Sequence, residues 1–349
     1  MKISRKGWFA ISILISITSL AFIFISTFNE STISHILSFS IPFLLLAISF
    51  HFIALLFWGL RVKLMARSLG YHVGFFYCVN LVLANLLVAA LTPGMAGGEP
   101  VRVHELYRAG VPVGDATALV IMERILDGVV LTVMGIVAIA LMSTIWWSFP
   151  PSFIMGVMVA WVVFIGILAL PVLALRYPKL AKGIINRVIS GLARRFPGER
   201  MERVASGVNK ELDNMFSGLQ LFTGRAVSGS LLGLGSTALF WLAEFLVPSM
   251  ILMGLGYPPS IAESFFFQII IAIVMMIPTT PGASGVAEIS TSYLYSLIIP
   301  ASVVGIFVLI WRVVTFYLNI VLGAISSLII IKREMGREIS VDPPQGDSS

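Results

Sequence analysis

The sequence predicts an all-α polytopic membrane protein: six crossings and two re-entrant helices, arranged as two inverted-topology repeats. Three observations predict it. The chain is 58% hydrophobic and 11% charged, with a mean hydropathy of +0.98, which excludes a soluble globular domain. Its apolar runs recur near the ~20 residues that cross a bilayer as helix, without the short apolar/polar alternation of a membrane barrel. A Gly/Pro-interrupted motif also occurs twice, as TPGMAG at 92–97 and TPGASG at 280–285, each time at the end of an apolar run.

The elements follow in order. The start MKISRK precedes an apolar run from Trp8 to Ser26. That core is too long for a signal peptide and lacks a small-x-small cleavage site, so 8–28 reads as an uncleaved first crossing. The second crossing is 37–60. The stretch 75–91 is shorter and runs into the first break. It reads as a re-entrant helix, because broken backbone at membrane depth is tolerated only when buried in protein or lining a wet cavity. The third crossing, 127–148, begins further back near Val113, since no turn signal separates ATALVIMERILDG from the apolar run after it. The fourth is 153–175.

A basic cytoplasmic insertion, 176–225, comes next. Within it Met201, Val204, Val208, Leu212, Met215, Leu219 and Phe222 recur at helical spacing. This amphipathic helix either lies on anionic headgroups or caps the bundle. The fifth crossing is 228–254, and 264–278 is the second re-entrant helix. The sixth, 301–331, begins at Pro300, a residue suited to a first helical turn. The tail after Lys332 is polar and reads as disordered. Residues 1–150 thus form the first repeat and 151–331 the second, with the tail 332–349 outside both.

Charge sets the orientation. Lys2, Arg5 and Lys6, then Arg61, Lys63 and Arg67, then Arg102 and Arg108 form basic clusters, as do Arg176 to Arg225 and Lys332, Arg333 and Arg337. No Lys or Arg lies between Arg225 and Arg312. Six crossings put every cluster on one side, so both termini face the cytoplasm of a multi-pass cell-membrane protein. That placement accounts for the net charge of +6 without nucleic acid as a partner. The single cysteine, Cys78, excludes an internal disulfide and a thiolate metal cluster. His35, His51, His72 and His104 show no ligand spacing. No metal or other cofactor is expected.

Residues 92–124 align without a gap to 280–312, at a constant offset. The nine identities are TPG and the second glycine of the motif, Leu106-Tyr107 with Leu294-Tyr295, and the pairs Pro112/Pro300, Val120/Val308 and Arg124/Arg312. Apolar bias would match Leu, Ile and Val instead. Each half has three crossings, an odd number, so the halves insert with opposite orientation. Inverted repeats with paired breaks are a transporter arrangement, and the substrate site lies near the midplane between them. Gly-rich turns can aim N–H groups at an anion. The alternative is a structural hairpin that only lets helices pack closely.

Glu123, Arg124 and Asp127 lie on one crossing, Glu244 on another and Arg312 in the last. Unpaired charge in hydrocarbon costs at least ~2.5 kcal/mol, so these groups should face the interior and pair. Arg124 and Arg312 form a candidate cationic pair for a phosphate headgroup, which guanidinium grips with two parallel donors. The carboxylates would balance those charges or contact a cationic headgroup. The alternative is a salt-bridge network that locks the bundle, with Glu244, Glu288 or the Glu123/Asp127 group as partners for Arg312. Thr92, Pro93, Gly94, Gly97 and Gly98, and their counterparts Thr280, Pro281, Gly282 and Gly285, frame the site. Glu99 and Glu288 follow the turns and are placed at its mouths. Asn80, Asn85 and Gln268 either line it or join helices by hydrogen bonds.

TPGMAGGEPVRVHEL, MERILDG and IPTTPGASGVAE together resemble the flippase-like transmembrane family, the membrane region of lysylphosphatidylglycerol synthases, over roughly 8–331. The resemblance implies translocation of a phospholipid or lipid-linked headgroup between leaflets. It places that function at Thr92–Glu99, Glu123–Asp127, Thr280–Gly285, Glu288 and Arg312. The soluble aminoacyl-transferase domain of the bifunctional relatives has no counterpart here, so lipid synthesis is not implied and no enzyme is expected. The second motif carries Ala283-Ser284 where a glycine pair is expected. No GxxxxGK[ST] loop is present, so energy would come from gradients or product trapping. Two rival readings remain. One is a membrane-embedded lipid-head transferase using Glu99, Glu123 or Asp127 as acid or base. The other is a non-transporting partner that docks a glycosyltransferase or lipid synthase through 176–225.

Overall fold

The computed structural model describes residues 17–18, 21–22, 24–25, 30–92, 97–141, 150–184, 187, 212–275 and 280–339. Most of the first crossing, Pro93 and Gly94 of the first break, and Met201, Val204 and Val208 lie outside the described residues. Among those described, α1 (Glu30–Leu37) leads into α2 (Ile41–Ser68); α3 (Phe75–Ala90) and α4 (Gly98–Arg108) flank the first break; α5 (Val113–Leu141) and α6 (Pro151–Arg176) come after them. A helical segment over 212–223 precedes α7 (Val227–Gly254). Then come α8 (Ile261–Met275), α9 (Val286–Tyr295) and α10 (Ala301–Arg312). A π-helical turn, Val313–Tyr317, joins α10 to α11 (Leu318–Ile339).

The protein is all-α and spans a membrane several times. Among the described residues, five helices are long and apolar enough to cross, over Ile41–Ser68, Val113–Leu141, Ile154–Arg176, Val227–Gly254 and Ala301–Lys332. The shorter apolar helices are Phe75–Ala90 and Ile261–Met275, the two that end at the breaks. Exposed Val162 and Leu170 on α6 and Leu328 on α11 are the surface that lipid covers. Polar groups are turned inward instead.

Two boundaries differ from the sequence expectation, and the second limbs of the hairpins add two elements to it. Helix α2 runs to Ser68 rather than 60, because Arg61 is buried with partners and so does not end the membrane segment. The second limb of each hairpin is helical, as α4 and α9. Helix α11 continues to Ile339, so the expected disordered tail does not begin at Lys332. The described part of the insertion favours a cap on the bundle: Leu219, Phe222 and Ala226 pack with Leu106, Val111 and Leu119 at the helix ends.

The element order of 41–141 recurs over 227–339. Helices α2 and α7 are both 28 residues long and begin at Ile41 and Val227. Both end in the same turn. Gly70 (φ +94°) follows α2 and Gly256 (φ +82°) follows α7. Beyond them, Tyr71 N–H donates to Ala66 C=O and Tyr257 N–H to Leu252 C=O, a glycine-closed helix end. These equivalent helices pack antiparallel. Ser40 N–H at the start of α2 donates to Gly254 C=O at the end of α7 (2.8 Å), and Ser68 at the far end lies against Gly229.

Partners are exchanged as well, α3 packing on α11 and α8 on α5. At the centre the two breaks touch: Gly282 N–H donates to the carbonyl of Thr92 at 3.1 Å.

Candidate functional site

Where the breaks meet, a cavity of about 450 Å³ opens into the bundle. Helix α2 contributes His51, Trp58 and Arg61 to its wall, α3 Asn85 and α4 Glu99, while α5 supplies Arg124 and Asp127. From the second unit come Trp241 and Glu244 of α7, Gln268 of α8, Arg312 of α10, and Thr315 and Asn319 beyond it. Both units therefore build one chamber, whose wall sets ionisable and amide side chains among apolar ones such as Leu55, Phe245 and Phe316.

One side of the chamber is a buried ion network. Arg61 Nε donates to Glu123 Oε1 (2.8 Å), and its Nη1 donates to Asp127 Oδ1 (2.6 Å) and Thr237 Oγ1 (3.1 Å). Trp58 Nε1 reaches Glu123 Oε1 at 3.1 Å, and Trp241 Nε1 reaches Asp127 Oδ1 at 3.1 Å. Arg102 Nη1 donates to the other Glu123 oxygen, and its guanidinium lies 5.4 Å from the Trp58 ring centre. The remaining Arg102 donors, Nε and Nη2, are buried without a hydrogen-bond partner among the described residues. Removing one member of such a buried set strands the others, at a cost of about 3–5 kcal/mol.

The second unit has its own anchor. Arg312 Nε donates to Glu288 Oε1 (2.8 Å), and Glu288 Oε2 accepts the N–H of Gly285 (2.6 Å). The Arg312 guanidinium lies 4.1 Å from the Phe316 ring centre, within cation–π range. This arginine is thereby tied to the broken backbone itself.

The two repeat-related arginines are not equivalent. Arg124 Nε donates to Glu99 Oε1 at 2.8 Å, but both side chains are well exposed, 38% and 39%. Its second bond, to Asp127 Oδ2, is long at 3.4 Å. Arg312 and Glu288 are 1% and 0% exposed. Arg124 is a loosely held cation in the chamber; Arg312 is a fixed one in its wall.

Of the residues singled out from sequence, Glu99, Arg124, Asp127, Glu244 and Arg312 line the chamber. Glu123 lies behind the wall, fully buried under Arg61 and Arg102. Glu288 is also fully buried, and so is not at a mouth. Thr92, Gly97 and Gly98 shape the first break. Thr92 Oγ1 accepts Gly97 N–H (2.8 Å), and a Cβ on Gly98 would meet Asn85 Oδ1 at 2.3 Å. In the second break Thr280 Oγ1 donates to Ser284 C=O (2.7 Å). Pro281 and Gly282 are buried beside it. Gly97, Gly282 and Gly285 thus use their N–H groups within the protein, so these turns brace the chamber rather than offer those amides to an anion.

Ala283 stands at φ +53° beside Gly282 at +60°. The non-glycine residue keeps the left-handed turn at a cost of about 1–2 kcal/mol. Asn80 joins helices, accepting from Ser326 Oγ at 3.0 Å. Gln268 lines the chamber and also donates to the buried Tyr295 hydroxyl (3.3 Å).

Sequence reasoning missed several members. Arg61 and Arg102, which read as parts of cytoplasmic basic clusters, are buried inside the bundle. His51 has no metal-ligand spacing, yet an ionisable group mid-way along a crossing is itself a signal. Trp58, Trp241, Thr315 and Asn319 carry no local pattern that separates them from ordinary helix residues.

The comparisons with known proteins place this architecture. The pattern of the lysylphosphatidylglycerol synthase TM region matches residues 9–323, and the chain belongs to that family. It is similar to a UPF0104 membrane protein of Archaeoglobus fulgidus, 36% identical over 90% of this chain and 95% of that one. UPF0104 membrane proteins of Methanothermobacter thermautotrophicus (26%, over 80% and 83%) and Pyrococcus horikoshii (25%, over 86% and 90%) are also similar.

Proposed function

We propose that this protein moves a phospholipid or lipid-linked headgroup between leaflets, through the chamber between two inverted repeats. The observation that carries the reading is the single cavity that both units line with charged and amide side chains, at the contact between the two breaks. Membership of a family named for the membrane region of a lipid synthase is consistent with it. Arg124 is the residue for the headgroup phosphate, because it is charged, half-exposed and held only by exposed Glu99 and a long contact. Incoming phosphate takes the place of Glu99 at little cost, since an exposed ion pair is worth only ~1 kcal/mol or less. Arg312 sets the potential of the wall, while Asp127 suits a cationic part of the headgroup. In this reading both termini are cytoplasmic and no covalent chemistry occurs.

The test is leaflet-resolved labelling of headgroup amines with an impermeant reagent, in proteoliposomes of native lipid extract. Loss of a charge-assisted contact worth about 1.5–3 kcal/mol should make Arg124→Ala roughly 10- to 100-fold slower, with the protein still folded. A new covalent lipid product would instead identify a transferase. Equal rates in wild type, Arg124→Ala and empty vesicles would leave a docking role.

A further inference from the structure

One cluster on the chamber wall has no part in holding a phosphate. His51 Nδ1 lies 2.9 Å from Glu244 Oε2, and its Nε2 lies 2.9 Å from Asn319 Oδ1. Asn319 Nδ2 donates to the Thr315 carbonyl at 2.7 Å, which sets the amide so that its oxygen faces the ring. Nε2 must therefore carry a hydrogen. A bare Nδ1 facing an ionised carboxylate at 2.9 Å would set two lone pairs against each other. A second proton therefore sits between them, on the ring or on the carboxyl, and belongs to the pair.

Charge balance points the same way. The charged groups that line the chamber, or belong to the ion networks of those that do, are Arg61, Arg102, Arg124 and Arg312 against Glu99, Glu123, Asp127, Glu244 and Glu288. Four arginines face five carboxylates. One proton on the His51–Glu244 pair makes the set neutral, as a low-dielectric interior favours. Of the elements around His51, α5 brings Asp127 and Arg124, α4 Glu99, α10 Arg312, and α2 itself Arg61. Helix α3 adds no charged group to the wall, only Asn85, Leu86 and Ala89. Glu244 is 18% exposed and faces the cavity, so protons can reach it.

We propose that His51 and Glu244 form a proton-binding site that couples headgroup movement in the chamber to the proton gradient; the coupling rests on the headgroup reading, the proton site does not. When the proton leaves to chamber water, His51 keeps Nε2–H on Asn319 and Glu244 remains a carboxylate. Their contact then turns repulsive, and the set carries one net negative charge. The pair ties α2 to α7, the antiparallel equivalents at the heart of the bundle. Its protonation thus bears on how the two units sit together and on the charge a headgroup meets.

Two measurements on the full chain test this. Histidine-selective ¹⁵N spectra in nanodiscs, with His51 assigned by His51→Gln, read the ring. Infrared spectra of wild type against Glu244→Gln read the carboxyl. Near neutral pH the expected result is a doubly protonated His51, or a protonated Glu244 beside a singly protonated ring. A singly protonated ring beside an ionised Glu244 overturns the site.

In proteoliposomes of native lipid extract, a one-unit pH gradient should drive the labelled headgroup to a leaflet ratio of up to about tenfold if one proton moves per headgroup. His51→Gln and Glu244→Gln should return that ratio to one. Coupling is overturned if asymmetry persists in both variants, or never develops in wild type while headgroups equilibrate. If no headgroup moves in any preparation, the headgroup reading and the coupling fall together, and the spectra alone decide the proton site.

Discussion

Arg312 and Glu288 show how a single pair can hold a backbone break in place. Glu288 takes the guanidinium on one oxygen and the Gly285 N–H on the other, so the carboxylate joins a crossing helix to the turn. Replacing Arg312 with Met leaves the fully buried Glu288 carboxylate without its cation, and Glu288→Met strands the cation. Each single change should cost about 3–5 kcal/mol in detergent unfolding, whereas the double variant should lose clearly less than the sum. Additive losses would show that the pair is incidental. The charge of Arg312 is legible in the sequence, as an arginine inside an apolar run. Its partner is one of several open candidates there, because Glu288 lies beyond a loop and only folding puts the two side chains 2.8 Å apart. Arg61 misleads for a related reason: it sits at the edge of a hydrophobic run beside Lys63 and Arg67, where local charge density imitates a cytoplasmic flank.

Elements meet here through small residues, as expected where helices associate by close packing. On α11, a Cβ at Gly323 would lie 2.6 Å from the Leu83 carbonyl oxygen and 2.7 Å from the Leu87 Cβ. Those atoms belong to the helix body of α3 and cannot swing aside. Gly323→Ala should therefore force α11 off α3 and destabilise the fold by about 1–3 kcal/mol, read as a lowered unfolding temperature. Gly166 on α6 is the contrast. Nothing lies within 4 Å of its added Cβ, so Gly166→Ala should gain up to ~1 kcal/mol of helix propensity. Opposite signs for two identical changes would place α11 in the packed interior and α6 against lipid; equal signs would contradict that arrangement. The lengths and apolar character of these helices follow from the sequence, but the π turn at Val313–Tyr317 does not. That turn directly follows Arg312 and carries Thr315 and Phe316 into the chamber wall, and π turns gather at functional sites.

At the scale of the molecule, the antiparallel packing of α2 on α7 has a direct consequence for topology. His72 and Pro258 are both exposed and come just after equivalent helix ends. In a Cys78→Ala background, His72→Cys should react with impermeant maleimide from one face of the membrane and Pro258→Cys from the opposite face. Labelling of both from one side would remove the inverted arrangement, and with it the proposed route between leaflets. Taken alone, the sequence determined that the chain is an all-α membrane protein, where its backbone breaks, and which motif recurs. Those properties reside in hydropathy and spacing along the chain, and neighbours in sequence carry them. Only the tertiary structure decided that Arg61 and Arg102 lie inside, that Glu123 and Glu288 stand behind the wall, and that His51 meets Glu244 and Asn319. The partners involved are 62 residues apart for Arg61 and Glu123, 193 for His51 and Glu244, and 268 for His51 and Asn319. Helical periodicity assigns a side chain to a face, but which charge waits across that face depends on how distant helices cross.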